Sequence, residues 1–348
     1  MGASLRNEIL EANVSMLDRC KIEPTALDCG KVAVDLDVTP MDNSGTKKEG
    51  VSFTYKKFDG YAPMMAYIGT EGFLVNTELR EGKQHCQNHT PEFLRETLRL
   101  SHKLTSRPLL IRMDSGNDAA TNLGILIEDG SWFIVKRNMR KSESKDEWLK
   151  LAKEVCKDIR HPRDGKDVYI GSSWKEVDYL DSNGNNKTIC MRIVYEITER
   201  FTEPDGQFLM VPEIEVNTFW TNTDMTDDEV IDHYHAHGES EQFHSEIKTD
   251  MDVERLPSGK FDTNELVLEL TILAYNILRI IGQASLKSKR APRSKHPVKR
   301  RRIRTVISNL ILMAGHLTAH ARRIVLSLGK SNIWRFVFAE LYQQFSTY

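Results

Sequence analysis

Alternation of apolar and polar residues predicts a β-strand early in the chain. Across residues 32–39, valine or leucine alternates with a second set of residues that includes Asp35, Asp37 and Thr39. A period of two places these three polar side chains on one face of the strand. Because aspartate is disfavoured in strands, two of them here indicate either a functional site or a half-exposed strand with a polar outer face.

A second apolar run ends directly in an acidic residue. Residues 108–113 lead into Asp114, which is followed at once by a Ser-Gly turn. A strand that delivers a carboxylate at its carboxyl end, just before a turn, is a common way of building a site in an α/β sheet. The alternative is an Asx-turn in which Asp114 only caps the turn. Asp118 is the nearest substitute for Asp114.

A helix is predicted from Thr226 to Lys248. It begins with a capping box, in which Thr226 is the N-cap and Glu229 lies three residues later. Four polar or chargeable side chains follow at spacings of three, four and seven, which places them on one helix face: Tyr234, His237, Glu241 and Lys248. The apolar residues fall on the opposite side: Ala236, Phe243 and Ile247. Such a polar face suits a metal-bound phosphate, although a single glutamate on a helix is usually only solvated.

The remaining patterns predict a mixed α/β (α+β) chain. Strand patterns come first and then alternate with helices that begin near Thr90 and Ala119, which favours a mixed sheet. Hairpin signals such as Pro-Asp-Gly mark a β-rich region between Asp114 and Glu241. The predicted parts are an N-terminal helix and connector (1–30), the first part of the core (31–137), the β-rich insertion (138–222), the Glu241 helix and core completion (223–286), a basic linker (287–304) and C-terminal helices at 305–328 and 333–345 (305–348).

The segment from Lys287 to Arg304 contains ten lysines and arginines and no acidic residue. Its two prolines prevent the first half from being helical. A block of like charges repels itself unless an anion neutralises it, so the segment predicts contact with DNA phosphates. The residues favoured for this contact are Arg300, Arg301, Arg302 and Arg304. The alternative is a solvated linker.

Taken in order, two strand aspartates and one helix glutamate resemble the DDE triad of RNase H-like transposases. The spacing around Glu241, the segments 35–39 and 47–63, and the run 112–116 are similar to the thirteen-eighty family of bacterial insertion-sequence transposases. The resemblance implies an RNase H-like catalytic core in which Asp37, Asp114 and Glu241 are catalytic and hold two Mg²⁺ ions, for which Mn²⁺ can substitute. It also implies phosphate contacts from Tyr234, His237 and Lys248, with Asp35 supporting the site. The family usually has arginine where this chain has His237.

The resemblance further implies metal-dependent DNA strand cleavage and strand transfer of an insertion sequence. The implied partner is double-stranded DNA, as transposon ends and as target, bound by a homodimer. Because the chain begins close to its first catalytic strand, an alternative is a truncated, inactive remnant that binds DNA or inhibits an intact transposase. A third interpretation is a zinc-binding module built on four histidines: His233, His235, His237 and His244. No cysteine lies near them in the sequence.

Composition narrows these possibilities only slightly. The chain has 348 residues, 28% of them charged, and a formal net charge of −2 that conceals the local basic segment. No run of eighteen apolar residues occurs, so no transmembrane helix or membrane partner is expected. Five cysteines without a CxxC pair indicate reduced thiols in a cytoplasmic, nucleoid-associated protein. Among the tryptophans, Trp220 is the one for which stacking on a nucleobase is considered.

Overall fold

The structure is a computed structural model that describes residues 2–156, 159–203, 205–292 and 298–346. Nine α-helices occur in the described residues: α1 (Gly2–Arg19), α2 (Thr90–Leu104), α3 (Ala120–Asp129), α4 (Lys145–Val155), α5 (Asp227–His235), α6 (Ser240–Ser245), α7 (Phe261–Lys287), α8 (Ile303–Val306) and α9 (Arg335–Phe345). None of these helices is both long and apolar enough to span a bilayer.

The strands of the described residues fall into one large sheet and two small ones. Their bounds are β1 (Val32–Val38), β2 (Met41–Asp42), β3 (Ser52–Phe53), β4 (Asp59–Tyr61), β5 (Met64–Ile68), β6 (Phe73–Glu78), β7 (Leu109–Met113), β8 (Trp132–Arg137), β9 (Ile159–Arg163), β10 (Lys166–Leu180), β11 (Asn186–Thr202), β12 (Phe208–Thr221), β13 (Gly315–His320) and β14 (Arg323–Leu328). The large sheet has the order β6-β5-β1-β7-β8-β12-β11-β10-β9.

The first five strands of this order form the core of the sheet. Strands β1, β7 and β8 are parallel, while β5 and β6 continue the sheet antiparallel on the other side of β1. This is the arrangement of an RNase H-like sheet, so the predicted fold class is confirmed. Strands β1 and β7 are fully or nearly fully buried except at the end of β1, and their carboxyl ends lie side by side at the same edge.

The predicted β-rich insertion contains helix α4, the short strand β9 and the three long strands β10, β11 and β12, which pair antiparallel. Strand β12 also pairs with β8, so the insertion extends the core sheet. On the opposite side, α7 packs on β6, the edge strand of the sheet. The Asn276 side chain of α7 accepts from the Leu74 amide at 2.9 Å and donates to the Leu74 carbonyl at 2.7 Å. These two bonds pair backbone groups at the edge of the sheet, where the Leu74 carbonyl also accepts from Asn13 Nδ2 at 3.1 Å.

The C-terminal region differs from the sequence prediction. A helix over residues 305–328 is wrong beyond its first turns, because Gly315–His320 and Arg323–Leu328 form the hairpin β13–β14. The turn residues Ala321 and Arg322 both have positive φ, as a tight two-residue hairpin requires. The apolar residues of this region also fit a period of two: Leu317 faces Leu326 and Ala319 faces Ile324 across the ladder. The helix expected at 333–345 is present as α9.

Candidate active site

Asp37 and Asp114 lie beside each other at the carboxyl ends of parallel strands. The register of β1 and β7 pairs Leu36 with Met113, and the next residue on each chain is an aspartate. Asp114 also caps the turn that follows, because its Oδ1 accepts from the Gly116 amide at 3.1 Å and from Asn117 Nδ2 at 2.8 Å. The two interpretations of Asp114 are therefore compatible: the turn holds the carboxylate in place beside Asp37.

The pKa values of the two carboxylates shift in opposite directions. Burial raises the pKa of Asp114, and the neighbouring negative charge of Asp37 raises it further. Burial also acts to raise the pKa of Asp37, but its neighbour His244, with the charge of His237, holds that pKa below its usual value. Two adjacent carboxylates of this kind repel each other unless a cation or a proton lies between them.

Glu241 reaches the same region from a helical segment whose pitch changes along its length. The capping box of Thr226 and Glu229 is present and starts α5. A 3₁₀ turn (Ala236–Glu239) then leads into α6, and a π-helical turn (Glu246–Asp250) follows. Glu241 is exposed on α6. It lines a 510 Å³ cavity together with Asp37 and Lys248.

Tyr55 lies close to all three acidic residues, and no pattern in the sequence singled it out for the site. Its hydroxyl donates to the Val38 carbonyl at 3.1 Å, at the end of β1. The pKa of Tyr55 is raised by partial burial and by negative charges that include Asp37, Asp114 and Glu241. The ring lines the same cavity as Asp37 and Glu241. The charges of all three carboxylates therefore act on the same phenol, but their ligand oxygens do not all lie within 4.8 Å of one another.

Two of the predicted phosphate-binding residues, Lys248 and Tyr234, remain near the acidic residues. Lys248 donates to the Pro40 carbonyl at 3.3 Å on the wall of the cavity. The ring of Tyr234 packs against Phe219, with ring centroids 4.5 Å apart. The pKa of Tyr234 is raised by burial and by the charges of Asp114 and Asp37, because its phenol lies near the strand ends that carry these two residues.

His237 is placed differently from the expectation of a phosphate contact. Its Nδ1 lies 2.9 Å from Oδ1 of Asp35, and the side chain is 9% exposed. Arg112 donates to both oxygens of Asp35, at 2.6 and 2.7 Å, and to the His233 carbonyl at 2.7 Å. His237 therefore belongs to an internal ion cluster around Asp35. The prediction of a phosphate contact is corrected because the 3₁₀ turn carries this ring inward.

The four histidines considered for zinc point to four different carboxylates. The pairs are His233 with Asp28 at 3.4 Å, His235 with Glu196 at 3.4 Å, His237 with Asp35 at 2.9 Å and His244 with Asp37 at 3.4 Å. They therefore form no common metal site. Within the described residues, the one group of three metal-ligand side chains within 4.8 Å of one another is Asp28, Cys29 and His233. Cys29, which is distant from the histidines in the sequence, therefore lies near His233 in the fold.

The basic segment is held against the protein where the structure describes it; Arg293, Lys295 and Pro297 lie outside the described residues. Arg302 donates to Asp250 at 2.8 and 3.0 Å, and Arg304 Nε lies 3.3 Å from the same buried carboxylate. Arg300 contacts Gln242 at 2.6 Å and lies 4.4 Å above the Phe243 ring. Arg301 contacts Ser285 at 2.8 Å and lies 4.8 Å above Trp334. Residues 298–304 are therefore not a solvated linker.

Two further sequence expectations need correction. Trp220 is 2% exposed and donates to Asp118 at 3.0 Å, so it is not available to stack on a base. Asp118 also binds Arg140 at 2.7 Å, which ties it to the insertion and removes it as a substitute for Asp114.

An RNase H-like sheet with acidic residues at the ends of its central parallel strands, and a helix facing them with a glutamate, is the arrangement of a DDE domain. The chain belongs to the family described as transposase DDE domain group 1, whose model matches residues 5–347. It is also similar to the solved piggyBac transposase synaptic complex with hairpin DNA, with a TM-score of 0.39 and 12% identity over 80% of this chain and 53% of that chain. The chain spans about half the length of that protein. No curated protein matches the sequence.

Proposed function

We propose that this chain is the catalytic part of a transposase of the thirteen-eighty type. It would cleave and transfer the DNA strands of a bacterial insertion sequence. The observation that carries the proposal is that Asp37 and Asp114 lie side by side at the carboxyl ends of two parallel strands, while Glu241 lines the same cavity as Asp37 and Tyr55. The carboxyl ends of strands are where α/β sheets place ligands. Membership of a DDE transposase family supports the same chemistry.

The three side chains suit a hard divalent cation. All offer carboxylate oxygens, which Mg²⁺ and Mn²⁺ prefer, and the raised pKa of Asp114 beside Asp37 reflects a repulsion that a cation would relieve. Their wide spacing leaves room for the water ligands that Mg²⁺ retains. Two such ions supply activation of a water or DNA 3′-hydroxyl and stabilisation of the leaving oxygen.

The residues around the cavity would position the scissile phosphate. Lys248 contributes a positive charge to the lining of the cavity that Asp37 and Glu241 share, and the phenol of Tyr234 lies within the electrostatic influence of Asp114. Tyr55 and Lys56 line the same cavity. The Tyr55 ring would therefore lie beside a DNA strand bound in this cavity.

Charge distribution supports DNA as the partner. No aspartate or glutamate occurs between Glu269 and Glu340, whereas fifteen lysines and arginines do. Such a region favours binding to a polyanion through counterion release. Arg302 and Arg304 keep more than half of their side chains exposed and remain candidates for phosphate contact, while Arg300 is largely buried. Action as a homodimer on transposon ends, in a nucleoid-associated cytoplasmic location, forms part of the same proposal.

The test is strand cleavage on DNA ends of the flanking element. Cleavage is expected with Mg²⁺ or Mn²⁺ and not with Ca²⁺. Asp37→Asn, Asp114→Asn and Glu241→Gln should each abolish it while leaving DNA binding intact, since binding rests on lysines and arginines elsewhere. Glu239→Gln, a carboxylate on the same helical segment that pairs with Lys299, is the matched control and should retain activity. Binding without cleavage under any divalent metal would support the inactive remnant instead.

A further inference from the structure

His244 lies between the candidate metal ligand Asp37 and the core residue Tyr67. It follows Glu241 by three residues and is 4% exposed. Its Nδ1 is 3.0 Å from the Tyr67 hydroxyl, and its Nε2 is 3.4 Å from Oδ2 of Asp37. Within the described part of the chain, this buried Nε2 makes no hydrogen bond. A buried polar atom left without a partner is costly, typically about 1–3 kcal/mol, so it calls for an explanation.

Tyr67 fixes which ring nitrogen carries the proton. Its hydroxyl has one proton, and the two acceptors within reach are His244 Nδ1 and the thioether sulfur of Met65. The imidazole nitrogen is the stronger acceptor, because a thioether accepts only weakly. A hydroxyl that donates to Nδ1 leaves the proton of the neutral ring on Nε2, which is the atom directed towards Asp37.

Both partners of His244 are held rigidly. Tyr67 is on β5, next to β1, and its ring packs against three neighbours: Phe243, His244 and Tyr275. Oδ1 of Asp37 accepts from the Val38 amide at 2.7 Å. An Nε2–H donor at Oδ2 would therefore hold the second oxygen and fix the plane of the carboxylate.

We propose that His244 is a positioning residue that orients Asp37 for metal binding, with Tyr67 setting its tautomer. With Oδ1 of Asp37 held by the Val38 amide, the Nε2–H group 3.4 Å from Oδ2 would restrain the second oxygen and so the plane in which Asp37 meets the metal. Partners of this kind behind a metal ligand typically change metal affinity by about 10–100-fold when removed. The proposal rests on the proposed function, since it gives His244 a role only if Asp37 binds a cation.

The test measures Mn²⁺ binding to the full chain without DNA. Binding is monitored by calorimetry or by the EPR signal of free Mn²⁺. His244→Leu, which has no donor, should weaken Mn²⁺ binding about 10–100-fold. His244→Gln can place an amide donor near the Nε2 position and should restore most of the affinity. Tyr67→Phe removes the hydroxyl that sets the tautomer of His244. Its Mn²⁺ affinity should lie between those of His244→Leu and His244→Gln. His235→Gln, on the same helical segment but paired with Glu196, is the matched control and should bind like wild type.

A double-mutant cycle separates positioning from general packing. In an Asp37→Asn background the loss caused by His244→Leu should disappear, because coupled residues are not additive. Unchanged Mn²⁺ affinity in folded His244→Leu, or an equal loss in the Asp37→Asn background, would overturn the proposal while leaving the catalytic assignment in place. If His244→Leu does not fold, Tyr67→Phe carries the same cycle. A wild-type chain that binds no Mn²⁺ would overturn both this proposal and the proposed function.

Discussion

Asp35 and Asp37 are two residues apart on one strand, yet their surroundings are opposite. The register of β1 and β7 pairs Asp35 with Arg112, and His237 completes a closed ion cluster. The next polar position on β7 is Asp114, so Asp37 faces a second carboxylate where Asp35 faces a guanidinium. One strand pattern therefore builds a closed carboxylate and an open one. The residue on the neighbouring strand decides which of them is structural and which is free to bind a cation.

The pKa values separate Asp35 from Asp114, whereas Asp37 lies between them in character. Burial acts to raise the pKa of Asp35, but Arg112 and His237 hold it at about 2. Burial also acts to raise the pKa of Asp37, but its neighbours His244 and His237 hold it below its usual value. The pKa of Asp114 is raised by burial and by the charge of Asp37, and the charge of His237 offsets this only in part. A cation or a proton between Asp37 and Asp114 would relieve the repulsion at the open site.

The largest effects, on stability and on DNA cleavage, should come from replacing each of the two aspartates in turn by asparagine. Asp35→Asn leaves Arg112 buried beside a neutral partner and should destabilise the fold by about 3–5 kcal/mol. Asp37→Asn removes a charge that repels Asp114 but that His244 and His237 stabilise, so it should cost less stability than Asp35→Asn while abolishing Mg²⁺-dependent cleavage. Denaturant unfolding and the cleavage assay, run on both variants, measure the two losses separately. An Asp35→Asn protein of normal stability would show that the cluster is not closed.

A smaller effect is expected at the rim of the open site. Tyr55→Ala removes the exposed ring beside the carboxylates and should weaken binding of DNA ends by about 1–3 kcal/mol if a base stacks on it. Tyr55→Phe keeps the ring and loses the hydrogen bond to Val38, so it should bind almost like wild type. Fluorescence of 2-aminopurine placed at the terminal base reports the stacking. Equal loss in both variants would assign the effect to the hydroxyl and not to the ring.

Asp250 is a second carboxylate that is closed by arginines, here Arg302 and Arg304. Substitutions at this cluster test whether the two arginines also contact DNA. Arg302→Gln with Arg304→Gln should weaken binding to all DNA sequences and lower the salt slope by about 0.9 for each phosphate that is no longer neutralised. Asp250→Asn frees both guanidinium groups and is the reciprocal control, which should leave the slope unchanged or steeper. An unchanged slope in the double variant would mean that the arginines only anchor residues 298–304.

Local sequence patterns were sufficient to predict those elements whose structure is set by a few neighbouring residues. The alternation of residues 32–39, the acidic end of β7 and the capping box of Thr226 and Glu229 all have the predicted structure. The two strand patterns supplied the aspartates, whereas Glu241 came from the helical spacing of polar residues and the choice of the triad came from the family resemblance. The core order of the sheet followed from the resemblance rather than from any single pattern.

Features that depend on distant partners could not be predicted in this way. The helical spacing of Tyr234, His237 and Glu241 assumed a uniform pitch, but a 3₁₀ turn between α5 and α6 moves His237 inward to Asp35. The sequence could not show that Trp220 is buried, because the residue that it contacts, Asp118, is 102 residues away. Within the segment 47–63 nothing in the sequence distinguishes Tyr55, since its place beside the carboxylates depends on how β3 and β4 fold.

The smallest effect concerns the pH dependence of the closed site. Burial acts to lower the pKa of His237, but the charge and hydrogen bond of Asp35 raise it above its usual value of 6.5. The protonated ring therefore stabilises the fold fully below pH 6.5, and this contribution is lost as the pH rises through the raised pKa of the folded state. Asp35, with a pKa of about 2, stays ionised throughout. His237→Gln keeps a donor but cannot titrate, so its deficit in unfolding free energy, about 1 kcal/mol, should be larger at pH 5.5 than at pH 8.5. Urea unfolding at both values measures it, and a deficit that grows with pH would contradict the assignment.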